Sequence, residues 1–325
     1  MKTVRQPVIL IYHRVTRLES DPHGIAVRPD RFRRQMELLV ERRRPVTLSR
    51  AVDAVLDGTA EDGLAAVTFD DGYADNAGIA LPVLEELGVP ATVFAVSGSL
   101  GSGREFWWDE LEALLLGSHP LPTGLRIRVG ERNVAVTLPA DEWSETVRRS
   151  TRGWSSRTPG SPPTARHGLY ATLFDSLRGL SGEARGRALD ELGRWAEWTP
   201  STRETHRPLD AGGLARLAAS GVVEIGAHTE HHPALSCLSR TRRWSEISDG
   251  RRRLEEMVGP VRHFAYPFGD SGGSRRLVRK AGFDAAFITT PKGARPPDRY
   301  RIPRTYVGDW DESEFARRIL TSASA

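Results

Sequence analysis

The run Ala65-Ala66-Val67-Thr68-Phe69-Asp70-Asp71-Gly72 places two adjacent carboxylates at the end of an apolar segment. The apolar part predicts a short buried strand, and Gly72 indicates the turn that leaves it. Neighbouring like charges raise each other's pKa, and burial penalises both carboxylates unless a cation or a hydrogen-bond donor compensates. A divalent metal is one way to hold both ionised. The pattern therefore predicts a metal site in which one aspartate binds and the other moves a proton.

Apolar runs of strand length alternate with amphipathic helical segments over most of the 325 residues. Such alternation predicts a parallel sheet, either open or closed into an α/β barrel. The predicted strands are 8–12, 67–69, 90–96, 222–225, 263–266, 285–289 and 300–307. The predicted helices are 30–43, with Phe32, Met36, Leu39 and Val40 on one face, and then 80–87, 209–220, 239–258 and 312–320.

This alternation is interrupted between residues 105 and 206, where Trp, Arg, Ser, Thr and Pro are frequent. The stretch Thr158-Pro159-Gly160-Ser161-Pro162-Pro163 is typical of turns, and a helical pattern covers 182–198. We interpret 105–206 as a largely helical and irregular insertion within one catalytic domain that spans residues 1–325. Trp107 and Trp108, at the start of the insertion, have two open interpretations. They form a platform on which a sugar ring stacks, or they anchor the insertion to the barrel.

Composition argues against several classes of function. The formal net charge is +4, and the many arginines are scattered among 42 acidic residues, which argues against a nucleic-acid partner. The single cysteine, Cys237, cannot form an intramolecular disulfide or a thiolate metal cluster. No stretch approaches the roughly 18 apolar residues of a membrane span, and the N-terminal apolar run is too short for a signal core. These features predict a cytoplasmic protein.

The segment His228-Thr229-Glu230-His231-His232 contains the candidate partners of the aspartates. His228 and His232 are four residues apart and follow a predicted strand, so a loop at the carboxyl end of that strand would bring them near Asp71. Two imidazoles and one carboxylate leave positions open for water and substrate, which is typical of a catalytic metal site. The alternative is a solvated polar loop. His231 competes as a ligand, but the spacing favours His232.

The segment His263-Phe264-Ala265-Tyr266-Pro267-Phe268-Gly269-Asp270 predicts a strand that ends in a turn. Pro267 has no amide hydrogen, so the Phe268 N–H is the nearby donor that could face an oxyanion. Packing in a loop wall is the more ordinary role of such a turn. His13 closes the first predicted strand and would lie at the same edge as Asp71, although a hydrogen-bonded core histidine is the commoner role.

Taken together, these segments resemble the polysaccharide deacetylases, the carbohydrate esterases with a NodB-homology domain. Thr68-Phe69-Asp70-Asp71-Gly72 matches the first motif of that family completely, and His228-Thr229-Glu230-His231-His232 matches the second, His-Ser/Thr-x-x-His. With the third motif, the resemblance covers roughly residues 65–100 and 205–290. It implies a distorted (β/α) barrel of the NodB type, and an enzyme that hydrolyses N-acetyl groups of amino sugars with a divalent metal.

Carried over to this chain, the resemblance implies that Asp71, His228 and His232 are the metal ligands. Asp70 would be the general base that deprotonates the attacking water. The Phe268 amide would face the oxyanion, with Tyr266 and Pro267 beside it at the substrate. Zinc is the first expectation for the metal, and a ligand set of two histidines and a carboxylate leaves cobalt, nickel, iron and manganese open.

Two departures from the family pattern concern the base and the acid. Ala265 stands where the third motif usually has an arginine that pairs with the base aspartate, and Arg304 is our candidate for the missing cation. Many relatives carry the general acid in a late Leu-x-His, yet no histidine follows His263 in this sequence. Branches that resemble the poly-N-acetylglucosamine deacetylases place a Tyr-His pair near the N-terminus. Tyr12-His13 matches that pair and makes His13 the candidate acid.

Two other functions stay open. One is a metal-dependent amidohydrolase acting on a small non-sugar amide, because related folds do this. The other is a catalytically inactive carbohydrate-binding relative, to which Ala265 and the missing late histidine point. The expected partner is an N-acetylated carbohydrate, and the absence of an export signal suggests an intracellular glycan precursor.

Overall fold

The computed structural model describes residues 7–57, 63–139, 142–157, 159–289 and 298–320. They form two compact units. The first unit comprises the chain up to Arg17, the segment Ile25–Ser102 and the chain from Pro208 onward; the second comprises Leu18–Gly24 and Gly103–Arg207. Among the described residues, no helix is long and apolar enough to cross a membrane.

The strands and helices are numbered along the chain. The strands are β1 (Val8–Tyr12), β2 (Arg14–Val15), β3 (Ala26–Val27), β4 (Arg44–Pro45), β5 (Leu64–Phe69), β6 (Ala91–Ala95), β7 (Gly124–Val129), β8 (Arg132–Thr137), β9 (Val223–Ala227), β10 (His263–Ala265), β11 (Ala285–Ile288), β12 (Ile302–Pro303) and β13 (Thr305–Tyr306). The α-helices are α1 (Pro29–Arg42), α2 (Leu48–Asp57), α3 (Leu81–Leu87), α4 (Trp107–Leu116), α5 (Glu145–Thr151), α6 (Ala165–Leu177), α7 (Gly182–Trp195), α8 (Ala211–Ala219), α9 (Arg240–Val258), α10 (Arg275–Lys280) and α11 (Glu312–Phe315).

The main sheet belongs to the first unit. Its strands follow the order β12-β11-β10-β9-β6-β5-β1-β13, with β4 paired to β5, and all the pairs are parallel. The two ends of this order, β12 and β13, are separated in the chain only by Arg304. The strands therefore form a nearly closed barrel, which confirms the predicted fold. The single strand predicted at 300–307 is wrong, because its two halves pair with different neighbours, β11 and β1.

Continuous apolar runs explain why these strands are internal to the barrel. All residues of β5 and β6 are buried, as expected for parallel strands that are covered on both faces. Parallel pairing brings the carboxyl ends together: the Asp70 N–H donates to the Tyr12 carbonyl at 3.0 Å, and the His228 N–H donates to the Ala95 carbonyl at 3.0 Å. The residues that follow β1, β5 and β9 are thus gathered at one edge.

The helices of the first unit lie close to their predicted positions. In α1, Phe32, Met36 and Leu39 are buried, but Val40 is 42% exposed, so its assignment to the buried face is wrong. At 100° per residue, Val40 lies about 80° around the helix from Phe32, at the margin of an apolar stripe. The helix predicted at 80–87 is α3, which follows a π-helical turn at Asn76–Ala80 and ends at Gly88 with φ 62°.

In its described residues, the second unit contains four α-helices, α4 to α7, and an antiparallel hairpin of β7 and β8. The helix predicted at 182–198 is α7, which ends at Trp195. The hairpin was not predicted, although Leu125, Ile127 and Val129 are buried while the residues between them are exposed. That alternation with a period of two was the available signal. Of the predicted turn at 158–163, Thr158 lies outside the described residues.

Candidate metal centre and active site

Three buried side chains at the carboxyl ends of β5 and β9 form a metal-binding arrangement. One ligand atom each from Asp71, His228 and His232 lies within 4.8 Å of the other two. The Asp71 Oδ1 atom is 3.6 Å from His228 Nε2 and 3.4 Å from His232 Nε2. Converging nitrogen and oxygen atoms at these separations can approach one small divalent cation from one side, which leaves its other positions for water and substrate.

The hydrogen bonding of His228 favours this role. Its Nδ1–H donates to the Ala265 carbonyl at 2.8 Å, so the lone pair is on Nε2, the nitrogen that faces Asp71. Burial lowers the pKa of His228, and this effect exceeds the opposing influence of Asp70. A neutral imidazole oriented by a backbone carbonyl is the usual metal-binding form of histidine. The residues present therefore fit a divalent metal.

The backbone around this site adopts a conformation that residues other than glycine rarely take. Positive φ angles occur at Asp71 (72°), Thr229 (66°), His232 (56°) and Phe268 (57°). Among the described residues, only one other non-glycine residue, Glu197, shares this feature. Such conformations cost about 1–3 kcal/mol each and persist only where the surroundings enforce them, which is typical of active sites.

Helix α9 holds the loop that carries the two histidines. The Glu246 carbonyl accepts the Glu230 N–H at 3.0 Å, and its carboxylate accepts the His231 N–H at 2.8 Å and contacts His231 Nδ1 at 3.0 Å. A Cβ at Gly250 would lie 2.8 Å from the Thr229 carbonyl carbon, so only glycine permits this approach. His231 is 42% exposed and is not in the ligand set. Sequence reasoning missed Glu246 and Gly250, since a helix interior shows no pattern that points to a distant loop.

Asp70 forms a buried ion pair with Arg304. Arg304 NH1 donates to Oδ1 at 2.6 Å and NH2 donates to Oδ2 at 2.7 Å, which is the bidentate geometry of a strong pair. Burial raises the pKa of Asp70, but the net shift is downward, and the charge of the Arg304 guanidinium is the largest cause that lowers it. The structure thus places a cation on the aspartate although Ala265 has none, and it holds Asp70 ionised beside the three candidate ligands.

Arg304 is positioned by the closure of the barrel. Its guanidinium is fully buried, lies 5.2 Å from the centre of the Phe94 ring and donates to Thr68 Oγ1 at 3.1 Å. The Thr68 hydroxyl in turn donates to the Leu10 carbonyl at 2.7 Å. The residue that joins the two ends of the sheet is therefore also the one that pairs with Asp70.

His13 is the single residue between β1 and β2, and it is half-buried. Its ring lies 6.5 Å from that of Tyr306, centre to centre. A positive charge on His13 would lower the pKa of Asp70. Tyr12 is in the core, where its hydroxyl donates to Gln35 Oε1 at 3.0 Å.

The residues of the turn after β10 differ in how close they lie to the candidate site. The Phe268 ring lies 4.8 Å from the His232 ring in an edge-on arrangement, so this turn adjoins the ligands. Tyr266 is fully buried and its hydroxyl donates to the Tyr300 carbonyl at 3.0 Å. This position corrects the expectation that the Tyr266 side chain contacts substrate, because an alternating strand end directs it into the core. Pro267 is also buried.

Comparison with known proteins supports what the site residues indicate. The model of the polysaccharide deacetylase family matches residues 57–120 and 192–286, which include both aspartates, both histidines and the turn at Phe268. The chain belongs to the polysaccharide deacetylase family. The matched segments leave out 121–191, which lie in the second unit, so the family pattern resides mainly in the barrel.

Individual relatives of this deacetylase-family chain are distant. YxkH from Bacillus subtilis strain 168, named for the same family, is 30% identical over 108 residues, which are 33% of this chain and 37% of YxkH. The structure of IcaB from Ammonifex degensii covers 99% of this chain and 98% of its own, with a TM-score of 0.59 and 18% identity. The deacetylase PplD of Streptococcus pyogenes, solved with acetate, covers 95% and 94%, with a TM-score of 0.54 and 14% identity. At such identities the solved structures establish the shared fold alone.

Trp107 and Trp108 do not form an exposed platform. They are 7% and 4% exposed, respectively. Trp108 stacks on Phe106 with the ring centres 4.7 Å apart, and Trp107 stacks on Phe174 at 5.0 Å. Both indoles belong to the aromatic core of the second unit, which corrects the sugar-stacking interpretation because neither offers a free face.

Proposed function

We propose that this chain is a metal-dependent hydrolase that removes N-acetyl groups from an amino-sugar-containing glycan. The observation that carries the proposal is the Asp71, His228 and His232 cluster with an arginine-paired Asp70 beside it. Two adjacent aspartates there have different partners. Asp71 lies nearest the two imidazoles, whereas Asp70, although 3.8 Å from His228, is bound by the Arg304 guanidinium. This is expected when one aspartate binds a metal and the other accepts a proton.

In the reaction, water adds to the acetamide carbonyl, the C–N bond breaks, and acetate and a free amine are released. A divalent metal held by the three ligands would polarise the carbonyl and make the attacking water more acidic. Asp70, kept ionised by Arg304, accepts a proton from that water. The Phe268 N–H donates to the developing oxyanion, and His13 protonates the departing nitrogen. Zinc is the metal that we propose first, with cobalt, nickel, iron and manganese as alternatives that loading experiments can separate.

One observation argues against the alternative that the chain is a catalytically inactive relative. That interpretation depended on the missing late histidine and on Ala265, which lacks the cation of the usual third motif. Arg304 now lies on Asp70 at 2.6 and 2.7 Å, so the base has its cation from another strand. This pairing supports the enzyme over the inactive binding protein.

The experiment is to load the purified chain with each metal and measure acetate release from N-acetylated amino-sugar oligomers and from linear and cyclic non-sugar amides. We expect release from the sugars, and loss of both bound metal and activity in His228→Ala and His232→Ala. His231→Ala is the matched control, since this neighbouring histidine is outside the ligand set, and it should retain metal. Release only from non-sugar amides would favour the amidohydrolase, and bound metal without hydrolysis of any acetylated compound would favour the inactive relative.

A further inference from the structure

We infer that Asp75, Asn76 and Arg14 form a buried clamp that positions His13 as the general acid. The inference depends on the proposed function, because it assigns a role to residues behind the group that protonates the leaving amine. These three residues lie outside the metal ligands and outside the pair of Asp70 with Arg304.

The clamp forms hydrogen bonds to the backbone on both sides of Arg14. Asn76 Nδ2 donates to the His13 carbonyl at 2.9 Å and to Asp75 Oδ1 at 3.0 Å. The same Asp75 oxygen accepts the Val15 N–H at 3.0 Å. The His13 carbonyl and the Val15 amide are therefore both bound to side chains of one short segment that follows Asp71.

Arg14 provides the third point of the clamp. Its side chain is almost fully buried, its Nε lies 3.4 Å from Asp75 Oδ2, and its guanidinium lies 4.1 Å from the centre of the Tyr73 ring. An interior ion pair of this kind is seldom the most stable solution, because desolvation offsets the attraction between the charges. Its presence beside the candidate acid therefore calls for a role other than stability.

The local geometry explains why such a clamp is needed. His13 is the single residue between β1 and β2 and belongs to neither strand. Tyr12 before it is anchored in the core, and Arg14 after it is buried against Tyr73. Fixing the His13 carbonyl and the next residues therefore limits the directions that the half-buried imidazole can take.

The element that carries Asn76 is itself unusual. Asn76–Ala80 is a π-helical turn that leads into α3, and the Asn76 side chain is buried. Single π-turns are rare and frequently occur at functional sites. Here the turn places an amide side chain at the end of β1, where its donor reaches the His13 carbonyl.

The test uses two substrates that differ in their need for an acid. An N-acetyl amino sugar requires protonation of its leaving amine, whereas 4-nitrophenyl acetate releases a stable phenolate without it. We expect Asn76→Ala to lower kcat on the sugar by about 10- to 100-fold with KM unchanged, because small misplacements of a catalytic group can cost this much. Hydrolysis of 4-nitrophenyl acetate and the metal content should stay at wild-type levels. Asn133→Ala, an exposed site on β8, is the matched control and should change neither rate.

A double-mutant cycle provides the second measurement. If Asn76 acts through His13, then Asn76→Ala should have little further effect in a His13→Ala background. Asn76→Ser, whose hydroxyl is too short to reach the His13 carbonyl, replaces the alanine variant if that one fails to fold. Equal losses on both substrates, or additive losses in the cycle, would overturn the clamp while the proposed function stands. Wild-type inactivity toward every N-acetylated sugar, or unchanged sugar kcat in His13→Ala, would instead overturn the proposed chemistry.

Discussion

Two buried arginine–aspartate pairs lie in the barrel unit, and they differ in geometry. Arg304 contacts Asp70 through two short bonds of 2.6 and 2.7 Å. The Arg14 Nε atom lies farther from Asp75, at 3.4 Å from Oδ2, and Asp75 Oδ1 also accepts from the Val15 amide and from Asn76. All four side chains are almost completely removed from solvent. Burial and residue type are therefore matched between the two pairs.

The pKa values of the two carboxyl groups shift in opposite directions because the two pairs differ in geometry. Burial raises the pKa of both, but the net shift at Asp70 is downward, and the charge of the close guanidinium is the largest cause that lowers it. At Asp75 burial prevails over Arg14 and the backbone bond, and the pKa stays raised. The comparison shows that burial alone does not decide the state of a carboxylate. A bidentate partner keeps Asp70 ionised, whereas Asp75 serves as a hydrogen-bond acceptor for its neighbours.

The largest effect should separate the two aspartates in catalysis. We expect Asp70→Asn to lower kcat on an N-acetylated amino sugar by about 10²–10⁴-fold, because the general base is lost. Bound metal, measured by elemental analysis, should be retained. Asp75→Asn keeps an oxygen for the Val15 amide and should lose about tenfold or less, since it only loosens the position of His13. Asp249→Asn, on the exposed face of α9, is the control. Equal losses at Asp70 and Asp75 would remove the distinction between the pairs.

The second prediction concerns the stability of the metal-free protein. Arg304→Met leaves Asp70 as an unpaired buried charge, and the free energy of unfolding should fall by about 3–5 kcal/mol in urea titrations. Arg14→Met should cost less, because Asp75 already has a raised pKa and can take up a proton in place of its partner. A larger loss at Arg14 than at Arg304 would show that the pair with the longer contact is the stronger one.

The third prediction follows from the opposite pKa shifts. Because the folded pKa of Asp70 is lowered, its contribution is present above the unfolded pKa of about 3.9 and is lost as pH falls below it. Because the folded pKa of Asp75 is raised, its contribution is present below the unfolded value and is lost as pH rises through the folded value. Stability should therefore fall less on acidification from pH 6 to 3 in Asp70→Asn than in wild type, and more steeply in Asp75→Asn. Urea midpoints of the metal-free proteins at both pH values measure this, and equal slopes in the two variants would contradict it.

The smallest effect tests what supports Arg304. Thr68→Val removes the hydroxyl that joins Arg304 to the Leu10 carbonyl, and it should lower the free energy of unfolding by about 1 kcal/mol. Thr92 is its cross-strand partner on β6, and among the described residues its buried hydroxyl has no hydrogen-bond partner. Thr92→Val should therefore be neutral or slightly stabilising. The same loss at both positions would mean that packing, and not the hydroxyl, matters at Thr68.

Much of the fold and the composition of the site could be predicted from the sequence. Buried parallel strands appear as apolar runs, so β1, β5, β6 and β9 were located with small errors at their ends. The short motifs that follow β5 and β9 named the three side chains whose ligand atoms the structure brings within 4.8 Å. The hairpin of β7 and β8 was missed because its alternation lies within an arginine-rich segment that looked irregular.

Contacts between residues that are distant in the sequence could not be predicted in this way. Nothing near Asp70 in the sequence indicates that its cation comes from position 304, and Arg304 was only a candidate until β12 and β13 placed it. Glu246 and Gly250 hold the histidine loop from the middle of a helix. Tyr266, Trp107 and Trp108 look suited to a substrate, yet they are buried because large aromatic side chains also fill cores.

By itself, the sequence determined which local segments form strands and which residues can bind a metal, because hydrophobic period and ligand chemistry are properties of neighbouring residues. The tertiary structure decided how the two aspartate–arginine pairs differ. A carboxylate's pKa depends on distance and direction to charges that are far away in the chain, 234 residues for Asp70 and 61 for Asp75. The pairing of β1 with β5 sets the Asp75 distance, and the pairing of β12 with β11 and of β13 with β1 sets the Asp70 distance. Only the fold therefore shows which aspartate is held ionised.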